Sequence, residues 1–321
     1  MAASCLVGAS PTATIAQAAC TGTQVLFSQS AAAGTRTGTL EEFVVPADVS
    51  SMTITAAGAQ GGMGERPGGL GAEIQSVFTV APNDRICMLV GVEGEAGVGG
   101  GGGGGGTFVW TTTDPSCAVG QATDTTLLVA AGAGGGGTFL TSAGPGLPGL
   151  ATGLGAGPAG ALPGGASTDG AAGGTGGNGG ATGFAGGGGG LISDGASNLC
   201  QGGLALTNGA TGGAGCNMAF WGDGAFGGGG STGGGGGYNG GGGIGAPDQR
   251  NGGGGSFSAV TPLSAQDGVQ SGNGVVELCY SVAAPPAIPT LTEWAMMILI
   301  LALGGCGANL VLRRRRVGLS A

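Results

Sequence analysis

Residues 126–137 read TLLVAAGAGGGG and join the two kinds of sequence that make up this chain. Thr126–Ala130 is a short apolar run of the kind that forms a buried strand. Gly132, two residues after this run, begins a segment, residues 132–255, in which 54 of 124 positions are glycine. The fold therefore depends on how strands and a glycine-rich segment share one structure.

Further short runs predict strands on both sides of the glycine-rich segment. Apolar and polar residues alternate at 52–56, whereas 86–92 is a continuous apolar run typical of a fully buried strand. No segment before residue 294 has a convincing helical period. About eight short strands with turn signals between them predict an all-β fold, a sandwich or jelly roll. The other predicted strands are 42–46, 74–80, 107–110, 257–260 and 274–280.

The glycine-rich insert, residues 132–255, has few side chains to bury, so it cannot offset the entropy of ordering its backbone in the usual way. Either it stays disordered, or its backbone groups bond to one another in extended threefold strands of the polyproline II type. The spacing of Gly170, Gly173, Gly176 and Gly179 shows a local three-residue period. That period extends over too few residues for collagen. The repeated GGxGxDx pattern of a calcium-binding nonapeptide array does not occur either.

The composition excludes whole classes of reaction. The chain has no histidine, and its eight basic residues are all arginine. Histidine-dependent nucleophiles, HExxH zinc sites, P-loop lysines and Schiff bases are therefore excluded. Carboxylates such as Glu93, Glu95 and Asp223 could still serve an envelope enzyme, but Glu93 and Glu95 flank Gly94 and more simply predict a solvated turn. We expect no enzyme, no cofactor and no metal site.

Charge is distributed unevenly along the chain. Before residue 288 there are 16 acidic residues and four arginines, so the body is acidic and nucleic-acid binding is disfavoured. Trp294–Leu312 is an uncharged, mostly apolar run long enough to span a bilayer as a helix. Because a cluster of arginines follows, the C-terminus is expected in the cytoplasm; a buried core helix is the alternative. This stop-transfer cluster consists of Arg313, Arg314, Arg315 and Arg316.

The residues just before this helix resemble the IPTL-type C-terminal protein-sorting signal of Gram-negative bacteria. Residues 288–295 read IPTLTEWA, with an apolar helix and a basic cluster behind them, and Ala295 stands where the family usually has glycine. The resemblance implies recognition by a membrane-embedded enzyme of the exosortase kind, removal of the helix and transfer to the cell surface. The motif residues are Ile288, Pro289, Thr290, Leu291, Glu293 and Trp294.

The N-terminus predicts export less clearly. Residues 1–18 are small and apolar and end in an A-x-A pattern, which indicates signal cleavage near Ala18, although the positive region of a signal peptide is missing. Lipidation of Cys20 is the alternative. Residues 19–40 are expected to be a leader segment ahead of the β domain.

Six cysteines remain once Cys5 in the predicted signal peptide and Cys306 in the apolar helix are set aside. An even number in an exported protein predicts disulfides, and the lack of a CxxC spacing argues against a zinc ribbon. We expect Cys200 to pair with Cys216 across a short loop and Cys87 with Cys117 between neighbouring strands. Cys20 and Cys279 are the remaining candidates, and unpaired core thiols are the alternative.

The order of several glycine-rich pieces resembles the glycine-rich domain of the anaplastic lymphoma kinase type, which bacterial surface proteins share. The resemblance covers about residues 40–282 and implies a jelly-roll-like β scaffold carrying left-handed polyglycine helices held by backbone hydrogen bonds. The receptor relatives' ligand binding does not carry over, because no kinase or receptor architecture is present. The matching pieces are FVVPADV at 43–49, TITAAGAQGG at 53–62, LLVAAGAGGGG at 127–137, GGGGGYNGGGG at 233–243, NGGGGSF at 251–257 and GNGVVELCY at 272–280.

These observations predict a chain with a signal peptide (1–18), a glycine-rich β domain (41–282), a Pro-rich linker with the sorting motif (283–293), a transmembrane helix (294–312) and a basic tail (313–321). Such a chain would pass through the inner membrane and reach the cell surface. A structural or adhesive role is favoured. The alternative is a binding module for a protein or glycan, with loops around Trp110, Trp221 and Tyr238 as its contacts.

Overall fold

Ten short strands form two antiparallel five-stranded sheets. The computed structural model describes residues 20–140, 142–216, 220–246, 248–282 and 294–303. The first sheet has the strand order β1-β10-β3-β4-β9 and the second β2-β5-β6-β7-β8. The strands are β1 (Thr23–Ser28), β2 (Glu41–Val44), β3 (Ser51–Ala57), β4 (Gly71–Thr79), β5 (Arg85–Leu89), β6 (Thr107–Thr112), β7 (Leu127–Ala131), β8 (Phe257–Ser258), β9 (Ser264–Gln270) and β10 (Val275–Tyr280).

The two sheets pack face to face over an apolar core. Alternate side chains of β3 point into it, as the sequence alternation at 52–56 predicts. The second sheet contributes the opposite wall, so the arrangement is a two-sheet sandwich. The fully or almost fully buried residues of this core include Met52, Ile54, Ile74, Phe78 and Leu278 from the first sheet, and Ile86, Met88, Val109 and Val129 from the second.

The second sheet is buried on its other face as well. Cys87, Leu89, Phe108 and Trp110 point away from the sandwich core and pack against side chains of the glycine-rich insert, among them Phe226. This double burial explains the unbroken apolar run at 86–92, because a strand covered on both faces has no polar side. The glycine-rich insert, together with the glycine-rich segment between β5 and β6 (residues 90–106), therefore forms a third layer against the sandwich.

The third layer consists of extended segments, here called threads, joined by turns. Residues 101–106 form one thread, and their successive N–H groups point to three neighbouring threads in rotation, at N···O distances of 2.8–3.0 Å. Every third residue thus returns to the same neighbour. The accepting carbonyls, in order, belong to Gly137, Glu95, Gly230, Gly134, Val92 and Gly227.

Glycine is needed in this thread because the backbones are crowded. No residue of 101–106 has a positive φ. A Cβ placed on Gly103 would overlap the carbonyl oxygen of Gly234, and one on Gly102 would overlap that of Asp223. The glycine content here serves close approach between backbones rather than unusual backbone angles.

The sequence pattern does not predict two of the strands, β1 and β9. β1 lies within residues 19–40, which were expected to precede the β domain, yet it pairs along its whole length with β10. β9 has few apolar residues and contains Gly268, so it lacks the pattern of a buried strand. The all-β prediction is confirmed in the coarse sense of two antiparallel sheets, while the jelly-roll and polyglycine assignments stay predictions.

Residues 283–321 form a separate compact unit. Its described part, residues 294–303, is a helix with every side chain exposed. Within the described residues, no helix reaches the length and apolar character needed to cross a membrane. The rest of the predicted span, residues 304–312, lies outside the described residues, as does the arginine cluster.

All ten strands, both apolar cores and three disulfides lie between residues 20 and 282. This unit therefore contains its own core and its own cross-links, and we expect it to fold without the C-terminal unit.

Candidate functional sites

The sorting motif lies at the junction of the described and undescribed residues. Trp294 opens the helix of residues 294–303, and half of its side chain is exposed. The motif residues Ile288 to Glu293 and the expected signal cleavage at Ala18 lie outside the described residues. The structure therefore describes the last motif residue, Trp294, and the helix that it begins, but not the other motif residues.

Three disulfides cross-link the domain, and two of them are the predicted pairs. Cys87 bonds to Cys117 and Cys200 to Cys216. Cys20 and Cys279, the two candidates left over, form the third bond across 259 residues of sequence. This bond uses the Cys20 sulfur, to which a lipid would be attached, so it is incompatible with the lipidated alternative.

Two of the three aromatic residues considered for binding are buried. Trp110 and Tyr238 belong to the layer between the second sheet and the glycine threads, where Tyr238 stacks on Phe257 with ring centroids 4.8 Å apart. The Tyr238 hydroxyl donates to Asp124 at 2.8 Å. Burial, with this hydrogen bond and the Asp124 charge, raises the pKa of Tyr238. Both aromatic residues therefore serve packing.

Trp221 is different, because it is half-buried at the surface of the glycine layer. Its ring lies nearly parallel to that of Phe139, with centroids 6.4 Å apart, and meets the Phe184 ring edge-on at 5.2 Å. Phe139 and the neighbouring Phe220 are exposed. Trp221 is thus part of an exposed aromatic cluster that the sequence alone did not reveal.

The turns of the glycine layer alternate between two ends. At one end, residues such as Leu191, Leu206 and Phe226 pack against the second sheet. The turns at the other end carry large apolar side chains that no core covers. We call this second surface the apolar tip, and it consists of Met63, Val98, Phe139, Leu199, Phe220 and Trp221.

Backbone hydrogen bonds hold the loops of the apolar tip side by side. The Gly97 N–H donates to the Met63 carbonyl at 2.9 Å, and the Gly99 N–H to the Phe220 carbonyl at 2.6 Å. The Glu65 N–H donates to the Thr138 carbonyl, and the Cys200 N–H to the Phe184 carbonyl. The five stretches of chain that carry the apolar tip therefore meet in one surface, and only the folded structure brings them together.

The candidate carboxylates are engaged with the backbone. Glu95 Oε2 accepts from the Asp223 N–H at 2.9 Å, and Asp223 Oδ1 accepts from the Gly215 N–H. Glu93 does not lie in a turn as expected; its N–H donates to Asn273 Oδ1, and burial raises the pKa of its carboxyl. These groups join neighbouring chain segments, and no group of three potential metal ligands occurs in the described part of the chain.

A cleft of about 520 Å³ lies between the start of β5, the end of β6 and residues 120–126. Its two carboxylates close local turns, since Asp84 Oδ2 accepts from the Ala81 N–H and Asp114 Oδ2 from the Gln121 side-chain amide. The remaining wall consists of five threonines, Gly120 and Gln121. Both carboxylates of the cleft, Asp84 and Asp114, are therefore engaged in local hydrogen bonds.

Comparison with curated protein sequences gives no match. The C-terminal resemblance is confirmed, because residues 286–316 match the IPTL-CTERM motif. The motif implies processing machinery that recognises it, and it indicates a C-terminally sorted, secreted surface protein.

Proposed function

We propose that this protein is exported, held in the inner membrane by the helix of residues 294–312, and then released to the cell surface by an exosortase-like enzyme. The IPTL-CTERM motif at residues 286–316 is the observation that carries the proposal. In this scheme Arg313–Arg316 stay in the cytoplasm and signal cleavage near Ala18 frees the N-terminus. The described helix of residues 294–303, followed in the sequence by further apolar residues, supports the membrane-held intermediate.

The displayed part has a structural or adhesive role in this proposal and no catalysis. Its third layer is a bundle of polyglycine II type, which the three-residue rotation of hydrogen bonds in residues 101–106 supports. The resemblance to the glycine-rich domain of the anaplastic lymphoma kinase type also favours a polyglycine bundle. The engagement of Glu95 and Asp223 with backbone N–H groups supports the lack of catalysis.

The proposal is tested by following the C-terminus of the chain. Mass spectrometry of the surface fraction should find a mature form that lacks the helix and the arginine cluster. Combining Pro289→Ala with Glu293→Ala should leave the intact chain in the inner-membrane fraction, because both changes remove motif residues. Ala295→Gly, which restores the usual family residue, should be processed like the native chain.

An intact tail on surface-located protein would contradict the sorting proposal. So would normal release of the double variant.

A binding module for a protein or glycan remains the second candidate function. The exposed ring of Phe139 beside Trp221 favours it, because stacked aromatic side chains at a surface are frequent in recognition sites.

A further inference from the structure

The apolar tip exposes several large apolar side chains that are not packed in either apolar core of the domain. Leu199 is 73 % exposed, Val98 70 % and Phe220 61 %. The Gly99–Phe220 hydrogen bond joins the turns of Val98 and Phe220, and the Leu199 loop is joined to Phe184, whose ring contacts Trp221, so the exposed groups share one surface. A contiguous exposed apolar patch on a soluble domain marks an interaction surface.

The loops of the tip are held in place before any partner arrives. Besides the hydrogen bonds between neighbouring loops, the Cys200–Cys216 disulfide ties the loop of Leu199 to the loop that leads to Phe220. The Gly222 N–H donates to the Gly100 carbonyl at 3.0 Å and fixes the base of the Trp221 loop. A surface that is already ordered loses little entropy on binding, which favours affinity.

The charged groups around the tip are mainly acidic. Glu65 and Glu95 are exposed and Asp223 is half-buried, whereas the nearby basic residues are Arg66 and Arg36, whose guanidinium donates to Gln201 Oε1 in the loop that follows Leu199. The domain around them is acidic as well. Charge complementarity therefore favours a partner whose apolar groups are accompanied by positive charge.

We propose that the apolar tip is a docking surface for a polypeptide that presents apolar side chains flanked by Lys or Arg. This inference rests on the adhesive part of the proposed function and names the adhesive surface and its partner class. The apolar side chains of the partner pack between Phe220, Val98 and Leu199, and its cations face the carboxylates of Glu65 and Glu95.

Other occupants fit the tip less well. A second copy of this chain would bring the same carboxylates together, and like charges at an interface cost binding energy. Insertion into a lipid surface would carry the carboxylates of Glu65 and Glu95 out of water and into the headgroup region, which costs free energy. A glycan needs polar groups in the plane of its ring, whereas Val98, Leu199 and Met63 supply none.

The test uses the chain ending at Val282 and measures tryptophan fluorescence. Trp294 is then absent and Trp110 is fully buried, so a change in emission reports on Trp221. The probe is a short synthetic peptide of Leu, Phe and Lys. It should bind saturably and more weakly as salt rises, while the same peptide with Glu in place of Lys should not bind.

Matched variants locate the binding surface. Phe220→Ser should weaken binding at least about tenfold, as for the loss of a central aromatic anchor. Leu263→Ser removes an equally exposed side chain, 62 % against 61 %, that lies just before β9 and outside the tip, and it should leave the affinity unchanged. Circular dichroism confirms that both variants are folded.

Several outcomes would overturn the inference. These are no binding of the cationic peptide, equal binding of the acidic peptide, an equal effect of both substitutions, or stronger binding to zwitterionic vesicles than to peptide. None of them depends on C-terminal processing, so failure here is distinguishable from failure of the sorting proposal.

Discussion

Single residues in the glycine layer show two separate reasons for glycine. In Gly103 the reason is space, because a Cβ would overlap the Gly234 carbonyl oxygen although φ is ordinary. In Gly153 the reason is the backbone, because φ is +88° and nothing lies within 4 Å of a Cβ. Gly120 has neither constraint. These three positions therefore separate crowding from backbone strain.

Gly103→Ala should lower the free energy of unfolding by about 3 kcal/mol, because the neighbouring thread must move away. Gly153→Ala should cost about 1 kcal/mol through the left-handed backbone. Gly120→Ala should be neutral or slightly stabilising, since it restricts the unfolded chain. Urea denaturation of the three variants measures their free energies of unfolding and so ranks them. Equal stability of the Gly103 and Gly120 variants would contradict close packing of the threads.

Within the first sheet, two carboxylates lie on the outer face around Thr55 and Ala57. Glu277 is paired with Thr55 and Glu73 with Ala57 in the strand register. Burial first, and the Glu277 charge second, raise the pKa of Glu73 above its ordinary 4.5. The native state thus holds this proton more tightly than the unfolded chain, and the fold loses stability as the pH rises through the raised pKa.

Glu73→Gln should therefore stabilise the domain at pH 7, by about 0.5 kcal/mol for a partly exposed like-charge pair. Well below pH 4.5 the gain should vanish, because the Glu73 carboxyl is then protonated in both the native and the unfolded state. Chemical denaturation at the two pH values measures the difference. Asp48→Asn, at an exposed carboxylate in a turn, is the control. A gain that is the same at both pH values would rule out this electrostatic origin.

Across the whole domain, the first and last strands are neighbours. β1 pairs with β10, and the Cys20–Cys279 bond adds a covalent link beside them, with Cα atoms 5.7 Å apart. The bond closes almost the entire domain into one loop. Because the entropy removed from the unfolded chain grows with loop length, this disulfide should stabilise more than the short Cys200–Cys216 loop.

Replacing Cys20 and Cys279 by serine should lower the free energy of unfolding by about 5 kcal/mol, against about 3 kcal/mol for the Cys200 and Cys216 pair. Both double variants should keep the native sheet spectrum, because none of the four cysteines belongs to the two apolar cores that cover the sheets. Denaturation under non-reducing conditions compares them. A smaller loss for the long loop would show that the β1–β10 pairing already restrains the ends in the unfolded chain.

The sequence by itself determined the all-β class, the buried run at 86–92, two disulfide pairs and the C-terminal sorting signal, because each depends on local pattern or spacing. It did not determine where the glycines act. Gly170 and Gly176 fit the three-residue period in the sequence, yet both have positive φ and lie at turns, whereas the rotation of hydrogen bonds occurs in stretches such as residues 101–106 and 186–191. Only the tertiary structure placed β1 in the sheet and gathered Met63, Phe139 and Phe220 into one apolar tip. Backbone-to-backbone contacts between distant glycines leave no trace in side-chain pattern, so they became visible only when the chain was folded.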